Sequence, residues 1–308
     1  MNSMKTPASR RHFLKSMGTL AVVSAFDSPT AQAVTEPKGM RFGYTAMTWG
    51  KEEKQAIDDI SSLGFAGIQF RIDAVSEFKP PELRDILAQH KLTFVALSSG
   101  EVVIDPAVEA AEIAKHTANA KFVRDAGGLY LQVLDQLKPY PRTVTPAECK
   151  RLGKLLTAIG KQTADLGVPL GYHNHMNTIS EHPANLATVL EDADPQFVKL
   201  ELDTAHALAG GGDPAAMVEQ YRDRLLFLHL KDVVSIPLGS ENSKYPFKFV
   251  ELGRGDVDFP SVFATLKKIG FTGWAVVELD RVPDPSRTPK DCAKISSEYL
   301  ASKFAAKF

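Results

Sequence analysis

The chain is predicted to fold as a single (β/α)8 barrel, an α/β fold in which parallel strands alternate with helices. Three observations predict it. From Met40 onward, short apolar runs alternate with longer amphipathic stretches. Eight such runs fall within about 270 residues, the usual size of a closed barrel. No GxGxxG loop follows the first run, and the glycines Gly210 to Gly212 come only after the sixth, so an open dinucleotide-binding sheet ranks second.

In chain order the strands read Arg41–Ala46, Gly67–Ile72, Thr93–Ser98, Gly128–Val133, Pro169–His173, Val198–Asp203, Leu225–Leu230 and Trp274–Leu279. Between them, apolar residues three and four apart mark helices over Glu52–Leu63, Pro81–His90, Pro106–Ala126, Pro146–Leu166, Pro214–Tyr221 and Phe259–Ile269. A last helix runs from Pro289 to Phe304. Pro81, Pro106 and Pro146 suit a first helical turn, and Asp213 suits a cap. Gly64, Gly127, Gly167 and Gly270 stand where helices end. No linker or shift in composition divides residues 34–308, so one domain is expected there.

Residues 1–33 are expected to lie outside that domain. A basic segment with Arg10 and Arg11 is followed by Phe13-Leu14-Lys15, a short apolar stretch from Met17 to Phe26, and Ala31-Gln32-Ala33. This is the layout of a removable export signal. The apolar stretch is about half the ~20 residues needed to span a bilayer, and no cysteine follows it to carry a lipid anchor. The paired arginines resemble a bacterial twin-arginine signal, which implies export of the folded protein by that machinery to the periplasm or beyond. The whole chain has 36 basic and 37 acidic residues. Without the signal the balance is mildly acidic, which gives no electrostatic footprint for nucleic acid or an anionic membrane. Cys149 and Cys292 are the only cysteines. They lie far apart in helix-like segments and suggest neither a disulfide framework nor a zinc ribbon.

The polar residues carry the functional signal. In a barrel the active site lies at the C-terminal ends of the strands, on residues that face the axis. Strand alternation puts His173 and His175 on one face, Glu201 with Asp203, His229 with Lys231, and Glu278 with Asp280. Four consecutive strands therefore aim imidazoles and carboxylates at one end of one barrel. Burying so many ionisable groups is costly unless something compensates them. A divalent cation does so, and two imidazoles with two carboxylates suit Mn2+, Co2+, Zn2+ or Fe2+ better than Ca2+.

The strings Gly171-Tyr-His-Asn-His175, Leu202-Asp-Thr-Ala-His206, His229-Leu-Lys-Asp232 and Val277-Glu-Leu-Asp280 resemble the sugar isomerase/epimerase superfamily. This is the xylose-isomerase-like barrel group that also contains inosose dehydratases and endonuclease IV. The likeness spans the mature chain and is strongest from Pro169 to Asp280. It implies one catalytic divalent metal, with Mn2+, Co2+ or Zn2+ favoured, held by His173, Asp203, His229 and Glu278. His206 matches a residue that contacts substrate or a second metal in relatives, and Lys231 with Asp232 matches the polar pair after the strand-seven histidine. One departure stands out. Epimerases of the group carry glutamate on strands five and eight, whereas here strand five supplies His173, which points to the dehydratase and keto-sugar branch.

The resemblance implies a keto-sugar or cyclitol as substrate, processed through an enediolate by isomerisation or by dehydration or lyase chemistry, and the expected periplasmic location, where phosphorylated sugars are few, implies an unphosphorylated one. His175 or Glu278 would remove a proton, and Lys231 or His206 would polarise an oxygen or protonate a leaving group. Asp280 would bind substrate. So would Glu251 and Arg254, in the glycine-containing loop before Asp258; the same loop reads equally as a turn in which Asp258 caps the next helix. Endonuclease IV chemistry needs histidines at the ends of strands two and three, where Gln69-Phe-Arg71 and Ser98-Ser-Gly-Glu101 stand instead. Two further readings remain: a Schiff-base aldolase built on Lys231, and a periplasmic sugar-binding barrel without catalysis.

Overall fold

A computed structural model describes residues 39–137, 143–240 and 245–308. The expected export signal, residues 1–33, lies outside the described residues. The strands are β1 (Arg41–Thr45), β2 (Gly67–Arg71), β3 (Thr93–Val102), β4 (Tyr130–Asp135), β5 (Leu170–His173), β6 (Val198–Asp203), β7 (Leu225–Leu230), β8 (Asp232–Ser235), β9 (Phe247–Val250) and β10 (Trp274–Val277). Eight of them close a barrel in the order β1-β10-β7-β6-β5-β4-β3-β2, and every pairing around it is parallel. The (β/α)8 expectation holds.

Around the barrel lie α1 (Glu53–Ser62), α2 (Ala74–Glu77), α3 (Pro80–His90), α4 (Glu109–Asp125), α5 (Pro146–Asp165), α6 (Pro183–Asp192), α7 (Thr204–Ala209), α8 (Pro214–Gln220), α9 (Phe259–Lys268) and α10 (Pro289–Phe304). Asp213 caps α8 and Asp258 caps α9 through side-chain acceptors, while Thr145 and Thr288 close capping boxes on α5 and α10. Among the described residues no helix is long and apolar enough to cross a membrane.

Several boundaries differ from the sequence reading. The fourth strand starts two residues late because the Gly128 amide still donates to Val123 at the end of α4. It runs on to Asp135, paired there with Val102 of the extended third strand. The third strand extends to Val102 across a register shift between Ser98 and Glu101, at Gly100, whose φ is +85°. Pro106 does not open α4; residues 105–108 form a separate turn first. The helices α2, α6 and α7, and the antiparallel β8–β9 pair, were not marked by the pattern.

The barrel interior is stratified. Val95, Ala96, Phe227, Trp274 and Val276 form a buried cluster of their own, with Tyr130 packed against it. Tyr130 and Phe227 stack at 5.3 Å. Toward the N-terminal ends of the strands, the Arg41 guanidinium covers the Trp274 ring at 4.3 Å. Gly67 makes room for that indole, since a Cβ there would stand 2.6 Å from it. One end of the barrel is thus filled by aromatic bulk. The polar residues are left to the other.

Candidate metal centre

Each ligand-type side chain is set at the C-terminal mouth by its own strand end. His173 is the last residue of β5 and Asp203 the last of β6. Between them the Asn174 amide replaces the sheet pairing that has run out. Its Oδ1 accepts from the Asp203 amide at 2.9 Å and its Nδ2 donates to the Asp203 carbonyl at 3.2 Å. Asp203 also caps α7, with Oδ1 accepting from the His206 amide at 2.7 Å. The cap leaves Asp203 Oδ2 buried without a hydrogen-bond partner. Thr204 links β6 to β7 by donating to the Lys231 carbonyl at 2.7 Å. Below, Asp135 holds the loop that carries His175, accepting from the Tyr172 hydroxyl and the Ile179 amide, both at 2.6 Å.

The histidines and carboxylates converge. One donor atom each from His173, Asp203, His206 and Glu278 lies within 4.8 Å of the others; the same holds for His173, His175 and His206, and for His173, Glu201 and His229. Of the four expected ligands, His173, Asp203 and Glu278 thus share one set, into which His206 also enters. His229 borders that set, its Nδ1 3.0 Å from Glu278 and 3.8 Å from Asp203. Its Nε2 meets the Glu201 carboxylate and Gln69 Oε1, the latter at 2.9 Å. The His175 and His206 ring centroids are 3.8 Å apart.

Lys231 is fully buried beside them. Its ammonium reaches Glu278 at 2.8 Å, Asp280 at 2.6 Å and His206 Nε2 at 3.2 Å, and lies 4.2 Å from the Phe249 ring centre. Burial opposes its charge, but Asp280 and Glu278 outweigh that and push its pKa above the usual lysine range. Burial likewise opposes ionisation of Glu278, yet His229 and Lys231 hold its carboxyl well below the usual range. Asp203 goes the other way. Burial, with Glu278 adding to it, pushes it up to about 7 against the pull of Lys231 and His229. His173 and His206 are driven toward the neutral form, first by burial and then by neighbouring imidazoles.

The cluster is thus rich in buried acceptors and poor in donors. Asp203 Oδ2, Glu201 Oε2 and His173 Nδ1 make no hydrogen bond. The neutral imidazoles of His173 and His206, the carboxylates beside them and His229, which Glu201 and Glu278 hold toward its charged form in place of a cation, fit a divalent transition-metal ion or Zn2+.

Two expected substrate contacts are not brought to this cluster. Glu251 is buried and pairs with Arg287 at 2.6 Å, while the Arg254 side chain, 47% exposed, lies 3.9 Å from Glu251. Among the described residues, no hydrogen bond or ion pair joins either to the cluster. The glycines of their loop serve Asp232 instead, whose carboxylate accepts from the amides of Val233, Gly253, Gly255 and Val257. Conversely, Glu201, Gln69 and Asn174 received no site role from the sequence. Glu201 and Gln69 were visible as polar residues on inward-facing strand positions, the signal that could have found them.

Comparison with known proteins agrees with this geometry. Residues 57–302 match the xylose isomerase-like TIM barrel family. An inosose dehydratase of Geobacillus kaustophilus is 26% identical over 290 residues, covering 84% of this chain and 93% of that protein. Among solved structures, the IOLI protein with a bound zinc atom superposes with a TM-score of 0.73 at 17% identity, covering 87% of this chain and 99% of the other. An L-ribulose 3-epimerase gives 0.70 at 17%, covering 86% and 95%. With its closed parallel barrel and its polar cluster at the mouth, the chain belongs to the xylose isomerase-like TIM barrel family.

Proposed function

We propose that this protein is a divalent-metal-dependent enzyme acting on an unphosphorylated keto-sugar or cyclitol, by dehydration or lyase chemistry or by isomerisation. One observation carries the reading: the buried set of His173, Asp203, His206 and Glu278 at the barrel mouth, with His229 bordering it. The relatives named inosose dehydratases and the epimerase neighbours support it. His173, Asp203, His229 and Glu278 would hold the metal, which when bound polarises a carbonyl and acidifies the adjacent C–H.

The chain's own residues supply the remaining steps. The His175 imidazole, which burial and the nearby Lys231 charge bias toward its neutral, proton-accepting form, takes the proton from the carbon beside the carbonyl. Lys231 stays cationic between Glu278 and Asp280 and offers N–H to the oxygen that gains charge. Loss of a β-oxygen, with a proton delivered to it, gives dehydration; return of a proton to carbon gives isomerisation. A lysine held as ammonium by two carboxylates is a poor amine nucleophile, which disfavours the Schiff-base reading.

The test is direct. Purified protein is assayed for bound metal by elemental analysis and for turnover of inososes and ketoses by product NMR, before and after chelation. Turnover that disappears on chelation and returns with Mn2+, Co2+ or Zn2+ is expected. Asp203→Ala should cut both metal content and turnover by at least a hundredfold, about the effect of removing a first-order ligand or its support. Undiminished turnover in metal-free protein would refute the reading.

A further inference from the structure

The hairpin formed by β8 and β9 carries three aromatic side chains that the chemistry above does not use fully. Phe247 and Phe249 alternate along β9 and so share a face, and Tyr245, two residues before Phe247 and ahead of the strand, stacks on Phe247. Val233 pairs with Phe249 and Ser235 with Phe247. The Phe249 ring touches the site itself, 4.2 Å from the Lys231 ammonium and 5.1 Å from the His206 ring centre. From there the rings lead away in even steps. Phe249 to Phe247 is 5.7 Å, and Phe247 to Tyr245 is 5.5 Å with the planes only 14° apart. All three side chains remain partly exposed.

We propose that this ladder is a second subsite, which takes the second ring of a keto-glycoside while the first ring lies at the histidine–carboxylate cluster. The proposal rests on the reading of that cluster as a sugar or cyclitol site and names its substrate class more closely. A single sugar ring reaches the cluster and Phe249 only. Phe247, packed on its other side against the core, and Tyr245 are both partly exposed and follow Phe249 at ring spacings of 5.7 and 5.5 Å, the scale of one further ring. The apolar C–H face of a pyranose, or an aromatic aglycone, buries area on such rings while hydroxyl edges stay in water. The platform is also fixed in advance. Asp232, at the root of the hairpin, accepts four backbone amides from residues 233, 253, 255 and 257, so little ordering entropy is lost when a ring docks.

The test uses inert ligands, so it does not depend on turnover. Zn2+-loaded protein is titrated calorimetrically with methyl β-glucoside, phenyl β-glucoside and cellobiose. The two-ring ligands are expected to bind about tenfold tighter than the one-ring ligand, the scale of one good ring contact. Phe247→Ala and Tyr245→Ala should each bring that ratio to about threefold or less, whereas Phe247→Tyr should preserve it; circular dichroism confirms that each variant folds. Equal affinities in the wild type, a ratio unmoved by Phe247→Ala, or no measurable binding of any of the three overturns the proposal. If chelation has no effect on turnover but the ratio behaves as stated, the metal chemistry fails and the subsite stands.

Discussion

At His229 two oxygen acceptors crowd one ring nitrogen, and the other faces the Glu278 carboxylate at 3.0 Å. Glu201 and Gln69 both meet Nε2, while Nδ1 faces Glu278 and Asp203. Burial opposes charge on the ring, but Glu201 and Glu278 outweigh it and hold the imidazole well above its usual range, so a cation bound at Nδ1 would displace a proton. A carboxylate behind such an imidazole, as Glu201 is here, fixes both tautomer and ring orientation. Glu201 has a second effect. It is fully buried, and burial raises its pKa against the pull of His229, so in metal-free protein it is a cost. Glu201→Gln keeps the shape but removes that charge. The dissociation constant for Zn2+, read by competition with a chromophoric chelator, should rise about 10- to 100-fold. The metal-free variant should melt no lower than the metal-free wild type. Unchanged metal affinity would remove Glu201 from the positioning of His229; a collapse of metal-free stability would make its role purely architectural.

Elements at the barrel mouth differ in how plainly the sequence announced them. The eight barrel strands were legible because each is a short apolar run between turn residues, and the ligand-type side chains followed from alternation within those runs. Beyond the strand ends the pattern loses its period. The helix α7 is six residues long, too short for a 3.6-residue repeat to register, and its cap is Asp203, a residue that also reads as a ligand. The strands β8 and β9 are four residues each and are separated by Pro237, Gly239 and Pro246, which look like plain loop. The stretch from Glu251 to Asp258 reads in sequence either as a loop offering Glu251 and Arg254 to substrate or as a turn that Asp258 ends as a helix cap; Asp258 does cap α9, and the glycines let the backbone wrap Asp232. Gly255 shows the constraint: a Cβ there would stand 2.3 Å from Asp232 Oδ1 and 2.5 Å from the Val233 carbonyl, neither of which can retreat without breaking the amide contacts. Gly255→Ala should therefore cost about 1–3 kcal/mol in a denaturant titration, and Arg254→Ala, at a half-exposed side chain, should lie within about 0.5 kcal/mol of wild type. Equal midpoints for Gly255→Ala and wild type would show that the wrap does not bear on stability.

Across the whole molecule, one end of the barrel stabilises and the other spends that stability. Trp274, Phe227 and Val276 fill the lower interior with apolar contacts, while the mouth gathers Glu201, Asp203, Glu278 and Asp280 around the single buried ammonium of Lys231. Carboxylates in excess of cations, in a site where Asp203 and Glu201 are already forced toward protonation by burial, destabilise the fold until a cation offsets them. A ligand that binds only the folded state stabilises it by RT ln(1 + [L]/Kd), about 2.7 kcal/mol at a hundred times Kd. In a barrel of this size that corresponds to roughly 5–10 °C in melting temperature. Chelating the metal should therefore lower the melting temperature by that amount, and adding Zn2+ or Mn2+ should restore it. Asp203→Asn should respond differently, because the variant no longer needs the cation: its melting temperature should be nearly the same with and without metal. A wild type whose melting curve ignores chelator and metal alike would mean that these side chains neutralise one another unaided.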